Sequence, residues 1–157
     1  MLSTINAFFD KYLRPTDAQS AADPHRTRLA AATLLVEVIQ ADSEITGAEC
    51  ETLTRTIGAQ FSLTDAEAKE LLALAEDKAH HAVDLHQFTS LINRDFTPEQ
   101  KRWLIEELWR AAYADEVLHR YEDNIIRRIA DLIYVSPREM LAAKHRVLAK
   151  VQAKTPR

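Results

Sequence analysis

The sequence has two glycines, one cysteine and five prolines in 157 residues. Two glycines leave little material for the tight turns that join strands, because those turns place residues at positive φ. The lone cysteine, Cys50, excludes an intramolecular disulfide and fits a reducing compartment. No apolar run approaches the roughly 20 residues that cross a bilayer as a helix. The opening stretch MLSTINAFFDKYLRP has neither a basic leading segment nor an unbroken apolar core, so it does not read as a secretory signal. Basic residues are not in excess: the formal net charge is −4, which gives no global support to nucleic-acid binding. There is no glycine-rich phosphate loop and no Gly-x-Ser-x-Gly elbow. Cys50 lies between Glu49 and Glu51, whose carboxylates disfavour a thiolate. The expectation is a soluble cytoplasmic protein that is not an enzyme.

What is abundant is helix-forming: Ala, Leu, Glu, Arg and Lys dominate. Apolar residues make up 46% and charged residues 28%, enough for one domain with a real core. Helix starts are marked by Ser or Thr followed three residues later by Glu or Gln, a pair that satisfies two free backbone N–H groups. The pattern occurs at Thr46–Glu49, Thr64–Glu67, Thr97–Gln100 and Ser136–Glu139. Pro98 and Pro137 follow two of these caps at the first helical position. Asp23 before Pro24 offers a fifth start and Asp84 a sixth. The spacing predicts helices near 2–13, 24–41, 47–59, 65–81, 85–93, 98–114, 119–133 and 137–151. Segments 29–39 and 103–113 are apolar nearly all round and should form a central pair, with Trp103 and Trp109 both in the core.

The two halves repeat. Ala41-Asp42 aligns with Ala114-Asp115, and Glu49 with Glu122. Leu53 falls on Ile126 and Arg55 on Arg128; after one deletion, Leu63-Thr64 falls on Val135-Ser136 and Glu67 on Glu139. The expectation is an all-α, single-domain bundle of seven or eight helices with a pseudo-twofold axis between related halves. An N-terminal amphipathic helix and polar linker occupy 1–23, the bundle 24–152 and a basic tail 153–157.

An apolar helix ending in Ala-Asp, a short corner, then Glu seven residues after the Asp, twice in one helical chain, resembles the tellurite-resistance TerB family, and in particular its small stand-alone bacterial members. The resemblance spans roughly residues 25 to 150. It implies a duplicated helical bundle without established catalytic activity, linked to tellurite-type stress responses. It also implies a divalent-cation role for Asp42, Glu49, Asp115 and Glu122. The family usually has Gly after the Asp; here Ser43 and Glu116 stand there.

Read without the family, QADSEITGAE at 40–49 begins like a calcium loop. Asp42, Glu44, Thr46 and Gly47 occupy loop positions 1, 3, 5 and 6, but the closing position is Leu53, which cannot ligate. The plainer reading is a turn held by Asp42 and a helix capped by Thr46 and Glu49. Asp42, Glu44, Glu49 and Glu51 still form an acid patch with no base between residues 41 and 51. Such a patch suits a weakly bound divalent cation (Ca²⁺, Mg²⁺ or Mn²⁺) or a basic protein partner, with Glu44 and Glu51 on the partner side. Glu116–His119 has the Glu-x-x-His spacing of a di-iron ligand pair, but no second pair exists; His119 instead stands at a helix start. The alternative is a metal-dependent enzyme or metal sensor that uses the corner acids or the cluster of His80, His81 and His86 near Asp77 and Asp84. Leu2, Ile5, Phe8, Phe9, Tyr12 and Leu13 make an apolar stripe that docks on the bundle or forms a homodimer. The partner expected overall is a protein, in a membrane-associated complex.

Overall fold

Helix boundaries fall where the caps put them. In the computed structural model, which describes residues 4–13, 24–42, 47–76, 81–119 and 122–153, the helices are α1 (Thr4–Tyr12), α2 (Pro24–Asp42), α3 (Gly47–Gln60), α4 (Asp65–Glu76), α5 (His81–Asp95), α6 (Pro98–Ala114), α7 (Glu116–His119), α8 (Glu122–Leu132) and α9 (Pro137–Ala153). No strand occurs among the described residues. The Thr97 hydroxyl accepts from Gln100 N (3.1 Å) and the Gln100 side chain accepts from Thr97 N (2.7 Å), closing the box that starts α6. Thr64 and Glu67 do the same for α4, at 3.2 and 2.9 Å. Ser136 caps α9 by accepting from Glu139 N (3.2 Å). Eight of the helices answer to the eight expected from sequence. The addition is the single turn α7, so His119 closes a turn instead of opening a helix. Asp84 lies inside α5, which begins at His81, and is not its cap. Asp23 and Thr46 lie outside the described residues.

The core is built around α2. Leu29 through Ile39 are all buried, including Thr33 and Glu37, so this helix is covered on every side. Thr33 turns its hydroxyl back to Leu29 O (2.8 Å), which lets a polar residue sit there. The covering is supplied by α3, α4, α5, α6 and α8. The second apolar helix, α6, is one-sided: Leu104, Ile105, Leu108, Trp109 and Ala112 are buried, but Trp103 is 38% exposed. Six residues along a helix turn a side chain about 120° away from the starting face, so Trp103 and Trp109 cannot share one. Trp109 is held in the core by donating to Met140 O (3.1 Å).

The N-terminal stripe docks within the chain. Phe8, Phe9 and Leu13 are buried, and the Phe9 ring meets Phe88 of α5 edge-on at 6.1 Å. Leu2 and the side chain of Ile5 lie outside the described residues. A dimer through Phe8, Phe9 and Leu13 would require two copies to exchange that helix. Among the described residues no helix is long and apolar enough to cross a membrane.

The duplication is visible in the backbone. Helices α3 and α8 both end in a residue at positive φ, Ser62 (55°) and Tyr134 (61°). Around each, the same two bonds form: Leu63 N to Gly58 O with Ser62 N to Ala59 O, and Val135 N to Ala130 O with Tyr134 N to Asp131 O. This is the Schellman closure, made twice without glycine. It also sets the register, a constant offset of 72. Buried Leu53, Thr54, Ile57, Gly58 and Phe61 fall on buried Ile125, Ile126, Ile129, Ala130 and Ile133. The structure thus pairs Leu53 with Ile125 and Arg55 with Arg127, one residue earlier than the sequence alignment has them. The deletion lies in the corner before the helix, because a one-residue slip within it would rotate its apolar face by about 100°.

The central helices run in opposite directions. Arg110, near the end of α6, donates to Gln60 O at the end of α3 (2.8 Å) and shares a cleft with Pro24 and Thr27 at the start of α2. At the far end of α2, Gln40 donates to Cys50 Sγ (3.0 Å) and to Ala75 O.

Two outcomes follow from this geometry. Ser62→Gly relieves the left-handed strain and should raise unfolding free energy by about 0.5–1 kcal/mol in urea titration; a loss of stability would contradict the positive-φ cap. The ion pair Lys11–Glu70 (2.9 Å) joins α1 to α4. Its hydrogen bond from Lys11 lowers the Glu70 pKa, and the same bond raises that of Lys11. A lowered carboxylate pKa contributes stability above the unfolded value, lost as pH falls through the folded one; a raised ammonium pKa contributes below its unfolded value, lost as pH rises through the folded one. The stability difference between wild type and Glu70→Gln should hold between about pH 5 and 10 and vanish outside that window.

Candidate functional site: the acidic corners

Each corner joins a central helix to the next one. The first spans 43–46, between the ends of α2 and α3. That gap is too short for a twelve-residue calcium loop, and the would-be closing residue Leu53 is buried in the core. Glu49 is exposed in the opening turn of α3, where the helix dipole favours a carboxylate. Glu51 is exposed and paired with Arg55 four residues on (2.9 Å). Between them Cys50 points inward: its thiol is buried, and Thr54 donates to its carbonyl (2.8 Å). The side chain of Asp42 and the whole of Glu44 lie outside the described residues.

The second corner is a cap. Asp115 ends α6 in extended backbone (φ −143°, ψ 125°), and its Oδ1 accepts from Leu118 N (3.3 Å), starting α7. It is half-buried. Glu116 and His119 are exposed on that single turn, and the His119 ring lies 5.8 Å from Tyr113, which stacks on Trp109 at 6.2 Å. The side chain of Glu122 lies outside the described residues, and the register places Cys50, not Glu49, opposite it.

The structure does not bring the two corners together. Asp42 and Asp115 stand at opposite ends of an antiparallel pair, and α2 alone, with 19 residues, is about 28 Å long. Among the described residues no group of three or more His, Cys, Asp and Glu side chains is placed to hold a metal ion. His80 and the side chain of His81 lie outside the described residues; of the three histidines the side chain of His86 alone is described. His86 is exposed, and its carbonyl accepts the hydroxyls of Thr89 and Ser90 at 3.0 and 2.9 Å.

Sequence reasoning missed one polar cluster. Glu67, buried and already bonded to Thr64 N, also takes His25 Nε2 across the bundle at 2.9 and 3.0 Å. The Arg28 guanidinium lies 3.4 Å from His25 Nδ1. The capping box was legible; its second partner, 42 residues away, carries no local signal.

Fold, duplication and corners together define a helical domain made of two diverged copies of one unit. The family model described as tellurite resistance protein TerB matches residues 28–145, most of the chain, and the chain belongs to that family. Comparison with curated proteins and with solved structures finds no match.

Asp115→Ala should cost about 0.5–2 kcal/mol by removing a helix cap, whereas Glu51→Gln, at an exposed ion pair, should cost no more than about 0.5 kcal/mol. Urea unfolding of both variants checks the division between a structural corner and an exposed one.

Proposed function

We propose that this protein is a non-catalytic binding member of a tellurite-type stress response, and that its first corner is the working one. The family match over 28–145 is the observation that carries the stress-response reading. Exposure of Glu49 and Glu51 on the opening turns of α3 supports a charged contact surface there. Carboxylates held close repel one another, and a hard divalent cation or a Lys/Arg-rich protein surface relieves that repulsion. Asp42 and Glu49 are the cation-side residues; Glu44 and Glu51 extend the patch toward a protein partner, such as a membrane-associated complex. In the second corner Asp115 caps α7, so Asp115 and Glu122 contribute less to binding than their sequence counterparts.

Calorimetry with Ca²⁺, Mg²⁺ and Mn²⁺ tests this reading. Wild type should bind one of them with a dissociation constant of about 10⁻⁴–10⁻³ M, and Asp42→Ala/Glu49→Ala should lose it. Absence of heat and of any thermal shift at those concentrations would remove the cation. Capture of a cellular partner that is unchanged by Glu49→Gln/Glu51→Gln would remove the basic-partner surface.

A further inference from the structure

A second feature lies away from the first corner. Between the start of α2, the outer face of α6 and the last turns of α9 is a cleft of about 560 Å³, within the range of roughly 300–1,000 Å³ that holds small ligands. One wall is apolar: Pro24, Val147, the 38%-exposed Trp103 and the 37%-exposed Val151. An exposed Trp beside an exposed Val in a concavity is the kind of apolar surface that marks a contact site.

The charges around this wall are mostly neutralised within the chain. Glu106 pairs with Arg146 (3.2 Å) and Glu107 with Arg110 (3.0 Å). Arg110 is further occupied by Gln60 O and by the ring of Phe61, 5.7 Å from its guanidinium carbon. Lys150 completes the lining, is exposed, and makes no ion pair with any described residue. The cleft thus offers an apolar wall and one positive charge that no described residue pairs. A cationic ligand would meet Lys150 and find both acids already paired; a neutral one would leave the ammonium unused.

We propose that this cleft binds a small amphipathic monoanion, a carboxylate with a fatty or aromatic body. The body lies against Trp103, Val147 and Val151, and the carboxylate meets Lys150. The ligand chemistry is set by the apolar wall and the single charge together. Binding is reversible and involves no covalent step.

The test uses the full chain and the two indole N–H resonances. Trp109 is buried and bonded to Met140 O, so it serves as an internal reference for Trp103. The probes are decanoate and 4-phenylbutanoate below their aggregation limits, with decanol and 4-phenylbutanol as neutral counterparts. The expected result is a saturable shift of Trp103 with at least one acid and little movement of Trp109; the tighter acid identifies a fatty or an aromatic body. Lys150→Gln should weaken acid binding by about three- to fivefold, the worth of an exposed ion pair, and leave alcohol binding unchanged. Val151→Glu should abolish acid binding, and Asp42→Ala should leave it intact. Both cleft variants alter exposed side chains, and an unchanged thermal midpoint confirms their fold. The proposal is overturned if Trp103 shows no saturable shift, if the alcohols bind as tightly as the acids, or if Lys150→Gln binds acids like wild type.

Discussion

The constraint on which this fold rests is the burial of α2. Eleven consecutive residues, Leu29 to Ile39, are withdrawn from solvent, and a helix buried on all faces needs neighbours on all faces. No single helical hairpin can supply them. The duplicated unit does, because α6 and α8 from the second half complete the cover that α3 and α4 begin. The reverse does not hold. α6 packs on α2 and α9 but turns Trp103, Glu106 and Glu107 outward. The pseudo-twofold relation is therefore one of topology and capping, and the two central helices are not equally deep.

Much of this was legible in the residues, for local reasons. Capping boxes at Thr64 and Thr97 depend on side chains three residues apart, so sequence spacing settles them. The helices other than α7, the lack of strands among the described residues and the repeat follow from the same kind of signal. What was not legible depended on partners distant in sequence or on angular position. Trp103 reads as core because its segment is apolar, yet the side of α6 that faces α2 is decided by packing. The alignment of Glu49 with Glu122 satisfies identity, whereas burial along α3 and α8 demands an offset one shorter. The bond between His25 and Glu67 joins residues whose nearness only the folded bundle creates.

The corners show the same separation of signal from role. Identical letters, Ala-Asp, end α2 and α6, and the family pattern treats them as equivalent. In the second corner the aspartate is engaged in starting a turn of helix. In the first, the acids that follow are on the outside of α3. A motif preserved through duplication therefore keeps its position more faithfully than its task. The antiparallel central pair adds that no single ion reaches both corners.

The two halves fasten their third helix by different chemistry. α4 is fastened to α2 near both ends, by Glu67 to His25 at one and by Ala75 to Gln40 at the other. The corresponding helix of the second half, α9, is held to α6 by the buried bond from Trp109 to Met140 O, by the Lys144 ammonium 5.1 Å over the Trp109 ring and by the surface pair Arg146–Glu106. One half is latched by polar bonds near the two ends of a helix; the other is pinned by one buried aromatic side chain. In a duplicated protein the same joint is thus kept by unlike chemistry, so a substitution that loosens one copy has no counterpart position in the other.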